Sequence, residues 1–409
     1  MPASHPPRPL FSRRFPWEHS LNRLTLAAAE RRARGLPVID LTETNPTRAG
    51  IPYPEEELAD LLCRGASVSK YEPHPRGILE AREALAAVLS QPGDTVSPDD
   101  LILTASTSES YSYLFKLFAD PGDEVLTAAP SYPLLDSLAA LDSLELRHFR
   151  LKLRERFGID PEAVELALAE RTRLLTVVHP GNPTGNFLSI QERDALAGLC
   201  ASRSLPLIAD EVFADYPLPS PLAESPQRAG PIAAASGEAL SFSLGGLSKS
   251  AGLPSWKLGW IRAGGPPALR RRAVAALEMV ADSYLSVATP VQRALPGVLA
   301  LAPRIRAAIL DRLRTNLSAL RAALAGVPEA ELLAPEGGWS AALRVFRPEA
   351  DEELALDLLE RAGVLVHPGY FFDFATEDFL ILSLLPEPAR FAEGVRRLAD
   401  VLRETSASE

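Results

Sequence analysis

The sequence predicts an α/β fold: a large domain with a mostly parallel seven-stranded sheet flanked by helices, joined to a smaller α+β domain. Through the middle of the chain, short apolar runs alternate with helical stretches, the pattern that builds a parallel sheet covered on both faces. A segment with mixed strand and helix patterns follows residue 332. The length of 409 residues is enough for two or three domains with large buried cores.

The predicted strands of the large sheet are runs rich in leucine or β-branched residues. They lie at 101–105, 124–128, 144–149, 173–178, 205–209, 239–244 and 258–262. Helices are predicted between them, each beginning near a Ser, Thr, Asp or Pro that can cap or start a helix, at 108–118, 133–141, 161–168 and 190–202. Residues 217–238, rich in Pro, Ser, Gly and Ala, predict a surface excursion.

The C-terminal part shows a different pattern. Residues 266–325 predict long helices in which Pro290, Pro296 and Pro303 act as breaks or starts. Strands are then expected at 339–346, 364–366 and 379–384, and helices at 351–362 and 388–403. We therefore expect an N-terminal arm at 1–37, a large domain at 38–290 whose first residues contribute to the small domain, and a small domain at 291–409.

Composition excludes several classes of function. The 42 basic and 53 acidic residues give a net charge of −11, which disfavours a nucleic-acid partner. Cys63 and Cys200 are the only cysteines, so neither a disulfide framework nor a cysteine-based metal site is expected. The sequence lacks a signal-peptide pattern and an apolar window of about 18 residues, so no membrane partner is expected. These features favour a cytoplasmic protein without a metal.

The strongest local signal is a lysine in a glycine-rich loop. Lys249 stands in LGGLSKSAGLPSWKLGW (244–260), just after an apolar strand, and a second cation, Lys257, follows eight residues later. Most loop lysines are simply exposed. A lysine amine in a partly desolvated site, however, can be neutral and form a Schiff base with an aldehyde.

Four motifs in order carry a family resemblance. They are Tyr71-Glu-Pro-His-Pro-Arg-Gly77, Asn182-Pro-Thr-Gly185, Asp210-Glu-Val-Phe213 and Ser248-Lys249. On these residues the chain resembles the class I/II aminotransferases, which are fold-type I pyridoxal-phosphate enzymes, over about residues 38 to 403. The resemblance implies pyridoxal 5'-phosphate as cofactor and a small-molecule amino donor and oxo acid as partners. It also implies that Lys249 forms the Schiff base and shuttles the substrate proton.

Asp210 ends the run LPLIAD, where an ionised carboxylate at the edge of an apolar strand is costly unless it is paired. The resemblance implies that it pairs with the protonated pyridine nitrogen of the cofactor and keeps the ring an electron sink. Strand-end aspartates also commonly cap the next turn, which is the alternative interpretation.

Asn182 follows the predicted strand 173–178, and Asn-Pro is in any case a common turn starter. The resemblance implies that its side chain donates a hydrogen bond to the phenolic oxygen of the cofactor. A tyrosine usually provides a second such bond three residues after the aspartate, but this chain has Phe213 there. With one donor missing, we expect the pKa of the lysine–cofactor aldimine to be higher than in tyrosine-bearing relatives.

A run of hydroxyl residues joins a predicted strand to a helix, where backbone N–H groups point at an incoming anion. Ser106, Thr107 and Ser108 match the phosphate-binding loop of the family, although hydroxyls at this place also cap helices without a ligand. Ser248 and Lys257 match further phosphate contacts. Arginine is usual at the second position, and lysine keeps its charge but loses the bidentate geometry.

Two tyrosines match aromatic contacts of the family. Tyr132 matches the aromatic residue that stacks on the pyridine ring, although a loop tyrosine often serves only in packing. Tyr71 matches the residue that reaches across a dimer interface to the neighbouring phosphate. The resemblance therefore implies a homodimer.

The last predicted strand lacks an expected charge. Family members usually carry an arginine there that binds the α-carboxylate of the substrate, and the matching position is Ile381. Either another cation replaces it, with Arg344, Arg76 and Arg390 as candidates, or the donor is not held by an α-carboxylate. A shift in the alignment is the third possibility.

Transamination is the favoured function, with two alternatives. The same fold and cofactor also support a lyase that acts by β- or γ-elimination or by carbon–carbon cleavage, and Phe213 and Ile381 keep this alternative open. The other alternative is a non-catalytic effector-binding module, as in regulators that share this fold. About 37 residues precede Val38, with too few basic side chains for the DNA-binding domain of such regulators.

Overall fold

The structure is a computed structural model, which describes residues 10–14, 17, 21–66, 71–219, 227–235, 237 and 239–406. The helices of these ranges are α1 (Arg23–Ala33), α2 (Glu55–Gly65), α3 (Leu79–Leu89), α4 (Thr107–Phe118), α5 (Leu134–Leu141), α6 (Pro161–Ala167), α7 (Ile190–Arg203), α8 (Leu247–Ser250), α9 (Pro267–Asp282), α10 (Thr289–Leu324), α11 (Asp351–Asp357) and α12 (Pro388–Ser406). None of them is both long and apolar enough to cross a bilayer.

The strands of the described residues are short. They are β1 (Ile39–Asp40), β2 (Leu101–Thr104), β3 (Glu124–Ala129), β4 (Glu145–Arg150), β5 (Lys152–Leu153), β6 (Phe157–Gly158), β7 (Thr172–Val178), β8 (Leu207–Asp210), β9 (Ser241–Gly246), β10 (Gly259–Gly264), β11 (Ala330–Leu333), β12 (Ser340–Val345), β13 (Val364–Leu365), β14 (His367–Pro368) and β15 (Phe379–Ser383).

The large sheet has seven strands in the order β2-β10-β9-β8-β7-β3-β4. Strand β10 runs antiparallel to both neighbours, and the other pairs are parallel. Side chains alternate between two apolar layers: Leu174 packs in the layer that contains α4 and α9, and Leu175 in the layer that contains α6 and α7. The predicted mostly parallel, seven-stranded α/β sheet is confirmed.

A second sheet, of four antiparallel strands, has the order β11-β12-β15-β14. The single strand predicted at 364–366 is replaced by two short strands, because the chain passes here from one sheet to another. Strand β13 pairs with β1 in parallel, and the chain then enters β14, which pairs with β15. The Ser383 hydroxyl donates to the Glu43 carbonyl oxygen at 2.7 Å, so the segment after β1 lies against the end of β15.

The long helix α10 corrects one prediction. Pro290 lies in its first turn, as a helix start should, but Pro296 and Pro303 stand inside the helix and do not break it. A proline removes one helical hydrogen bond, and here burial offsets that loss, since α10 packs on α2, α3 and α12. Gly297 allows this packing: a Cβ there would lie 2.2 Å from the Cδ2 atom of Leu61.

The carboxyl ends of the parallel strands meet at one edge of the large sheet. Strand β8 ends at Asp210, β9 leads into α8 with Lys249, and β2 leads into α4 through Ser106. Such an edge is where α/β sheets bind ligands. The four-stranded sheet and the segment after β1 close over it and complete a cavity.

Candidate active site

A cavity of about 350 Å³ lies at this edge of the sheet. Five of the residues predicted from sequence line it together: Thr107, Tyr132, Asn182, Asp210 and Lys249. They lie at or after the ends of five different strands of the large sheet, β2, β3, β7, β8 and β9, so the chain topology brings them together. The rest of the lining comes from further residues beside the large sheet, such as Tyr111, Leu135 and Phe213, from the four-stranded sheet and its connections, and from the segment after β1.

Lys249 lies on the single-turn helix α8, whose backbone is held in place. Its carbonyl oxygen accepts a hydrogen bond from the Tyr216 hydroxyl. Its Nζ atom lies 4.7 Å from the centre of the Trp339 ring and 5.5 Å from that of Phe213. Burial lowers the pKa of the amine to about 8, against a smaller raising effect of the Asp210 carboxylate. An appreciable fraction of the amine is therefore neutral near pH 8.

Asp210 lies in the same cavity, and its pKa is shifted in the opposite direction to that of Lys249. Burial raises the pKa of its carboxyl group to about 6, although the backbone N–H of Val212 donates to it at 3.1 Å and Lys249 attracts it. The buried Tyr111 hydroxyl is near enough to lower the pKa of Asp210, yet it falls short of hydrogen-bond geometry. The carboxylate thus lacks a strong partner among the described residues and is suited to a cationic one.

Asn182 and Tyr132 lie on the loops that follow β7 and β3. The Asn182 loop is tied to the end of β8 by the His179 N–H, which donates to the Asp210 carbonyl oxygen at 2.8 Å. Tyr132 is 50% exposed and stands at the cavity mouth. Beside it, the Ser131 N–H donates to the Phe372 carbonyl oxygen at 2.9 Å, which joins this loop to the turn before β15.

The start of α4 forms one end of the site. Ser106 is the N-cap residue, and its hydroxyl oxygen accepts a hydrogen bond from the Glu109 N–H at 3.2 Å. The N–H groups of Thr107 and Ser108, in the first turn, have no acceptor within the helix. Because the helix dipole adds positive charge there, this end suits an anion such as a phosphate. Of the three hydroxyl residues, only Thr107 lines the cavity in the described part of the chain.

Ser248 and Lys257, the two further residues predicted to contact the phosphate, do not line the cavity. Ser248 is half-buried next to Lys249, and Lys257 is exposed, with a left-handed φ of 49°, two residues before β10. The start of β10 touches the α4 loop: a Cβ at Gly259 would lie 3.0 Å from the Ser106 carbonyl carbon. The strand that Lys257 precedes therefore contacts the phosphate-binding loop that the sequence predicts.

Tyr71 lies apart from the other predicted residues. Its side chain is 70% exposed and borders a separate surface concavity with Tyr113 and Gln292. It does not line the cavity of its own chain. This placement is compatible with a role toward a second subunit.

The arginine candidates for position 381 lie elsewhere. Ile381 lines the cavity as an apolar residue. The Nε atom of Arg344 lies 2.8 Å from a carboxylate oxygen of Asp378, and that of Arg76 lies 3.2 Å from one of Glu278. Arg390 donates to the Val38 carbonyl oxygen. None of the three lines the cavity.

Sequence reasoning missed several lining residues. Trp339, His367, Tyr111 and two threonines, Thr42 and Thr44, belong to the cavity. Trp339 follows the pair Gly337-Gly338, a sequence signal of close packing of the backbone: a Cβ at Gly337 would lie 2.4 Å from the Phe187 ring. His367 had no comparable signal.

The residues present fit pyridoxal 5'-phosphate. Its pyridinium nitrogen matches the weakly partnered Asp210 carboxylate, its phosphate matches the start of α4, and its aldehyde matches the desolvated Lys249 amine. The three matching groups lie around one cavity, so a single molecule that carries a pyridinium, a phosphate and an aldehyde can meet all of them.

Comparisons with known proteins agree with this chemistry. Residues 48–398 match the family model "Aminotransferase class I and II". The alanine aminotransferase of Mycobacterium tuberculosis is 26% identical over 92% of this chain and 88% of its own length. The solved structure of an alanine aminotransferase from Pyrococcus furiosus superposes with a TM-score of 0.83 at 23% identity, covering 93% of this chain and 96% of its own.

A lyase is also among the relatives. The S-alkyl-thiohydroximate lyase SUR1 of Arabidopsis thaliana is 30% identical, but over 60% of this chain and 52% of its own length. The aminotransferase above spans most of both chains, so transamination is favoured over the lyase alternative. The chain belongs to the class I and II aminotransferase family and is a fold-type I, pyridoxal-phosphate-dependent aminotransferase.

Proposed function

We propose that Lys249 is the residue that binds the cofactor and carries the substrate proton in this aminotransferase. The observation that carries the proposal is the pair of opposite pKa shifts in one cavity, on the Lys249 amine and the Asp210 carboxyl group. When bound, pyridoxal 5'-phosphate supplies an aldehyde that condenses with amines and a ring that accepts electrons from the substrate carbon. A desolvated amine attacks an aldehyde readily and afterwards accepts and returns a proton.

Asp210 is proposed to hold the ring nitrogen in its protonated form. An ionised carboxylate at this depth is costly by itself, as its raised pKa indicates, and a cation beside it removes that cost. Asn182 is proposed to donate to the phenolic oxygen of the ring, and Tyr132 to cover the ring from the cavity mouth. Together these residues orient the reacting carbon toward Lys249.

The phosphate is proposed to bind at the start of α4. The N–H groups and hydroxyls of Ser106, Thr107 and Ser108 supply donors, and Ser248 and Lys257 supply a hydroxyl and a charge beside them. Since Lys257 is exposed, its contribution is screened by solvent and is smaller than that of a buried arginine.

The active unit is proposed to be a homodimer in which Tyr71 contacts the phosphate bound by the partner subunit. Its high exposure and its position outside its own cavity support this. We also propose that the enzyme is cytoplasmic and that its domains divide at 38–290 and 291–409. The separate four-stranded sheet supports that division.

The test is the Lys249→Ala variant. We expect it to lose at least about a thousandfold in turnover, because the shuttle amine is gone and positioned proton transfer contributes on this scale. Turnover is measured as transfer of ¹⁵N from a labelled donor to an oxo acid, which an elimination reaction does not produce. Circular dichroism checks the fold, and Lys152→Ala, an exposed lysine paired with Asp160, is the matched control. Full activity of Lys249→Ala would contradict the proposal.

A further inference from the structure

Tyr111 is a buried residue of α4 whose hydroxyl has no hydrogen-bond partner. The residue is 2% exposed, and nothing in the described part of the chain bonds its phenolic oxygen. Its ring packs among apolar side chains, with 5.8 Å between its centroid and that of the Phe115 ring. A phenylalanine would provide this packing without burying an unsatisfied hydroxyl, which is costly. We therefore expect the hydroxyl to have a role besides packing.

Tyr111 lies over the end of strand β8. It belongs to the same apolar layer as Ile208. Because successive side chains of a strand point to opposite faces of the sheet, Asp210, two residues later, points to the same face as Ile208. Tyr111 and Asp210 also line the same cavity. The phenol and the carboxyl group therefore lie beside each other.

The Asp210 carboxyl group has room for a second donor. Its Oδ1 atom accepts the Val212 N–H at 3.1 Å, and no side chain among the described residues completes a hydrogen bond to it. An ionised carboxylate has about four acceptor positions, whereas a phenol hydroxyl donates one bond. Tyr111 is thus a donor without an acceptor, beside an acceptor with free positions. A small movement of either side chain brings the two groups into contact.

The electrostatics of the pair have the directions that such a bond requires. Burial raises the pKa of Asp210 to about 6, and Tyr111 is one of the groups that oppose this rise. Burial also raises the pKa of the Tyr111 hydroxyl well above its ordinary value, and the Asp210 carboxylate adds to that rise. The hydroxyl therefore keeps its proton at physiological pH and is available as a donor to the ionised carboxylate.

Helix α4 connects this pair to the proposed phosphate site. Thr107 and Tyr111 are four residues apart on α4, so they lie on one face of the helix, and both line the cavity. Thr107 stands in the first turn, where the phosphate is proposed to bind. One rigid helix thus holds the phosphate donors and the neighbour of Asp210 about 6 Å apart along its axis.

We propose that Tyr111 is the positioning residue of Asp210. When the cofactor is bound, the Tyr111 hydroxyl donates a hydrogen bond to the Asp210 carboxylate and holds it ionised and oriented toward the ring nitrogen. In this role Tyr111 acts on the reaction through Asp210 and not by contact with the substrate. The inference rests on the proposed function, because it assigns a partner to a carboxylate of the same site.

The first experiment measures cofactor affinity in Tyr111→Phe, which removes the hydroxyl and keeps the ring. Fluorescence titration of the cofactor-free protein with pyridoxal 5'-phosphate should show about tenfold weaker binding, the usual effect of losing a hydrogen bond to a charged group. Turnover in the ¹⁵N transfer assay should fall by a similar factor. The KM of the donor should change little, because the substrate contacts stay intact.

Thr176→Val is the matched control for this variant. Thr176 on β7 is 1% exposed and its hydroxyl also lacks a partner among the described residues, but it does not line the cavity. Removing this second buried hydroxyl should leave both cofactor affinity and turnover unchanged. The comparison separates the loss of a hydroxyl beside Asp210 from the loss of any buried hydroxyl.

A double-mutant cycle tests whether Tyr111 acts through Asp210. Asp210→Asn removes the charge that the hydroxyl is proposed to stabilise. Adding Tyr111→Phe to this variant should therefore weaken cofactor binding by less than about twofold more. A residue that contributes independently of Asp210 would instead multiply the two losses.

The stability of the cofactor-free protein gives a readout without turnover. Below about pH 6 the folded Asp210 carboxyl is protonated in both proteins, so the melting temperatures of Tyr111→Phe and wild type should differ by a constant amount. Above pH 6 the carboxylate of the variant lacks its donor, so its pKa is higher and the variant should continue to lose stability relative to wild type. A residue that serves only in packing would shift the melting temperature equally at every pH.

Two other ionisable groups act on Asp210 or respond to it. Burial lowers the pKa of Lys249 to about 8 and raises that of Glu211 to about 7, and the Asp210 charge adds to the rise at Glu211. Both groups are present in wild type and in Tyr111→Phe, so their titration cancels in the difference. In the Asp210→Asn background, Tyr111→Phe should produce no pH-dependent difference.

The outcomes separate this inference from the proposed function. Wild-type cofactor affinity in Tyr111→Phe, losses that multiply in the double variant, or a stability difference independent of pH would each overturn the inference. Full activity of Lys249→Ala or unchanged cofactor affinity of Asp210→Asn would overturn the proposed function instead. If Tyr111→Phe does not fold, a crystal structure of the wild-type holoenzyme decides the question. A Tyr111 oxygen within about 3 Å of an Asp210 carboxylate oxygen supports the inference, and a separation above about 3.5 Å overturns it.

Discussion

The Lys249 amine nitrogen lies 4.7 Å from the centre of the Trp339 indole ring. The two residues come from different sheets, since Lys249 follows β9 of the large sheet and Trp339 precedes β12 of the small one. The indole keeps water away from the amine, and burial is the first cause of its lowered pKa. The reactivity of Lys249 therefore depends on how the four-stranded sheet covers the large one.

The first prediction concerns the pH dependence of cofactor capture. Because the pKa of Lys249 is lowered to about 8, the neutral, reactive amine becomes the majority form above that pH. The rate at which cofactor-free protein captures pyridoxal 5'-phosphate should rise about tenfold per pH unit below 8 and level off above it. Stopped-flow absorption from pH 6 to 10 measures this rate.

The control is the same reaction with a free lysine derivative, whose rate keeps rising toward the ordinary pKa of 10.5. It separates the titration of Lys249 from that of the cofactor. A protein rate that follows the free lysine up to pH 10 would show that burial does not activate this amine.

The second prediction is that Asp210→Asn changes stability and cofactor affinity in opposite directions. Burial raises the pKa of Asp210 from 3.8 to about 6, so the folded protein binds this proton more tightly than the unfolded chain does. The ionised carboxylate consequently costs stability as pH rises from about 4 to about 6. Asparagine cannot ionise and can still accept the Val212 N–H bond.

Without cofactor, Asp210→Asn should therefore melt at a higher temperature than wild type above pH 6, and the difference should vanish below pH 4. With cofactor, it should bind pyridoxal 5'-phosphate at least about tenfold more weakly, because the ring nitrogen loses its counter-ion. Thermal unfolding and fluorescence titration measure the two effects. Unchanged cofactor affinity would mean that another carboxylate has this role.

The third prediction uses Phe213→Tyr. Phe213 packs edge-on against Trp339, with 5.3 Å between ring centroids, and lines the cavity. A tyrosine hydroxyl at this place adds the second donor that the family resemblance implies for the phenolic oxygen of the cofactor, which stabilises its ionised form. The pH midpoint of the absorption change of the bound cofactor should therefore fall, by about one unit or more.

Phe213→Leu is the matched control, since it removes the ring without adding a donor and should not lower the midpoint. A midpoint that does not move in Phe213→Tyr would show that another group already supplies this hydrogen bond. Absorption spectra of both variants between pH 5 and 10 decide the question without a turnover measurement.

The large sheet and part of the cavity were predictable because their signals are local. Most of its strands are apolar runs, although β4 is largely polar, and Asp210 ends such a run while Lys249 follows one. The rest depends on contacts between distant segments. His367 enters the cavity through its pairing with Ile381, and nothing within 364–368 indicates that the chain leaves β13 for another sheet. The prediction that Pro296 breaks or starts a helix was wrong for a related reason, because the packing that stabilises the helix around it involves the distant helices α2 and α3.

The last prediction tests the dimer through the placement of Tyr71. In a single chain this side chain is 70% exposed and stands outside the cavity that contains Lys249. If it serves the phosphate of the partner, a Tyr71→Ala subunit has an intact Lys249 but impairs the neighbouring site. A Lys249→Ala subunit has no working site of its own but still offers Tyr71. A mixed dimer then contains one complete site, formed by Lys249 of one subunit and Tyr71 of the other.

Co-expression of the two variants with different tags yields mixed dimers, which tandem purification isolates. These should recover about half of the wild-type activity per dimer, because one of two equivalent sites in a symmetric dimer is complete. Each variant alone should stay far below this value, and sedimentation should show a dimer with an interface of the obligate size class, above about 2,000 Å². If the mixed dimers are no more active than the average of the two separate variants, Tyr71 does not serve the partner's site. It then acts in the site of its own subunit or has no role in the reaction. An active monomer at working concentration would contradict the dimer itself.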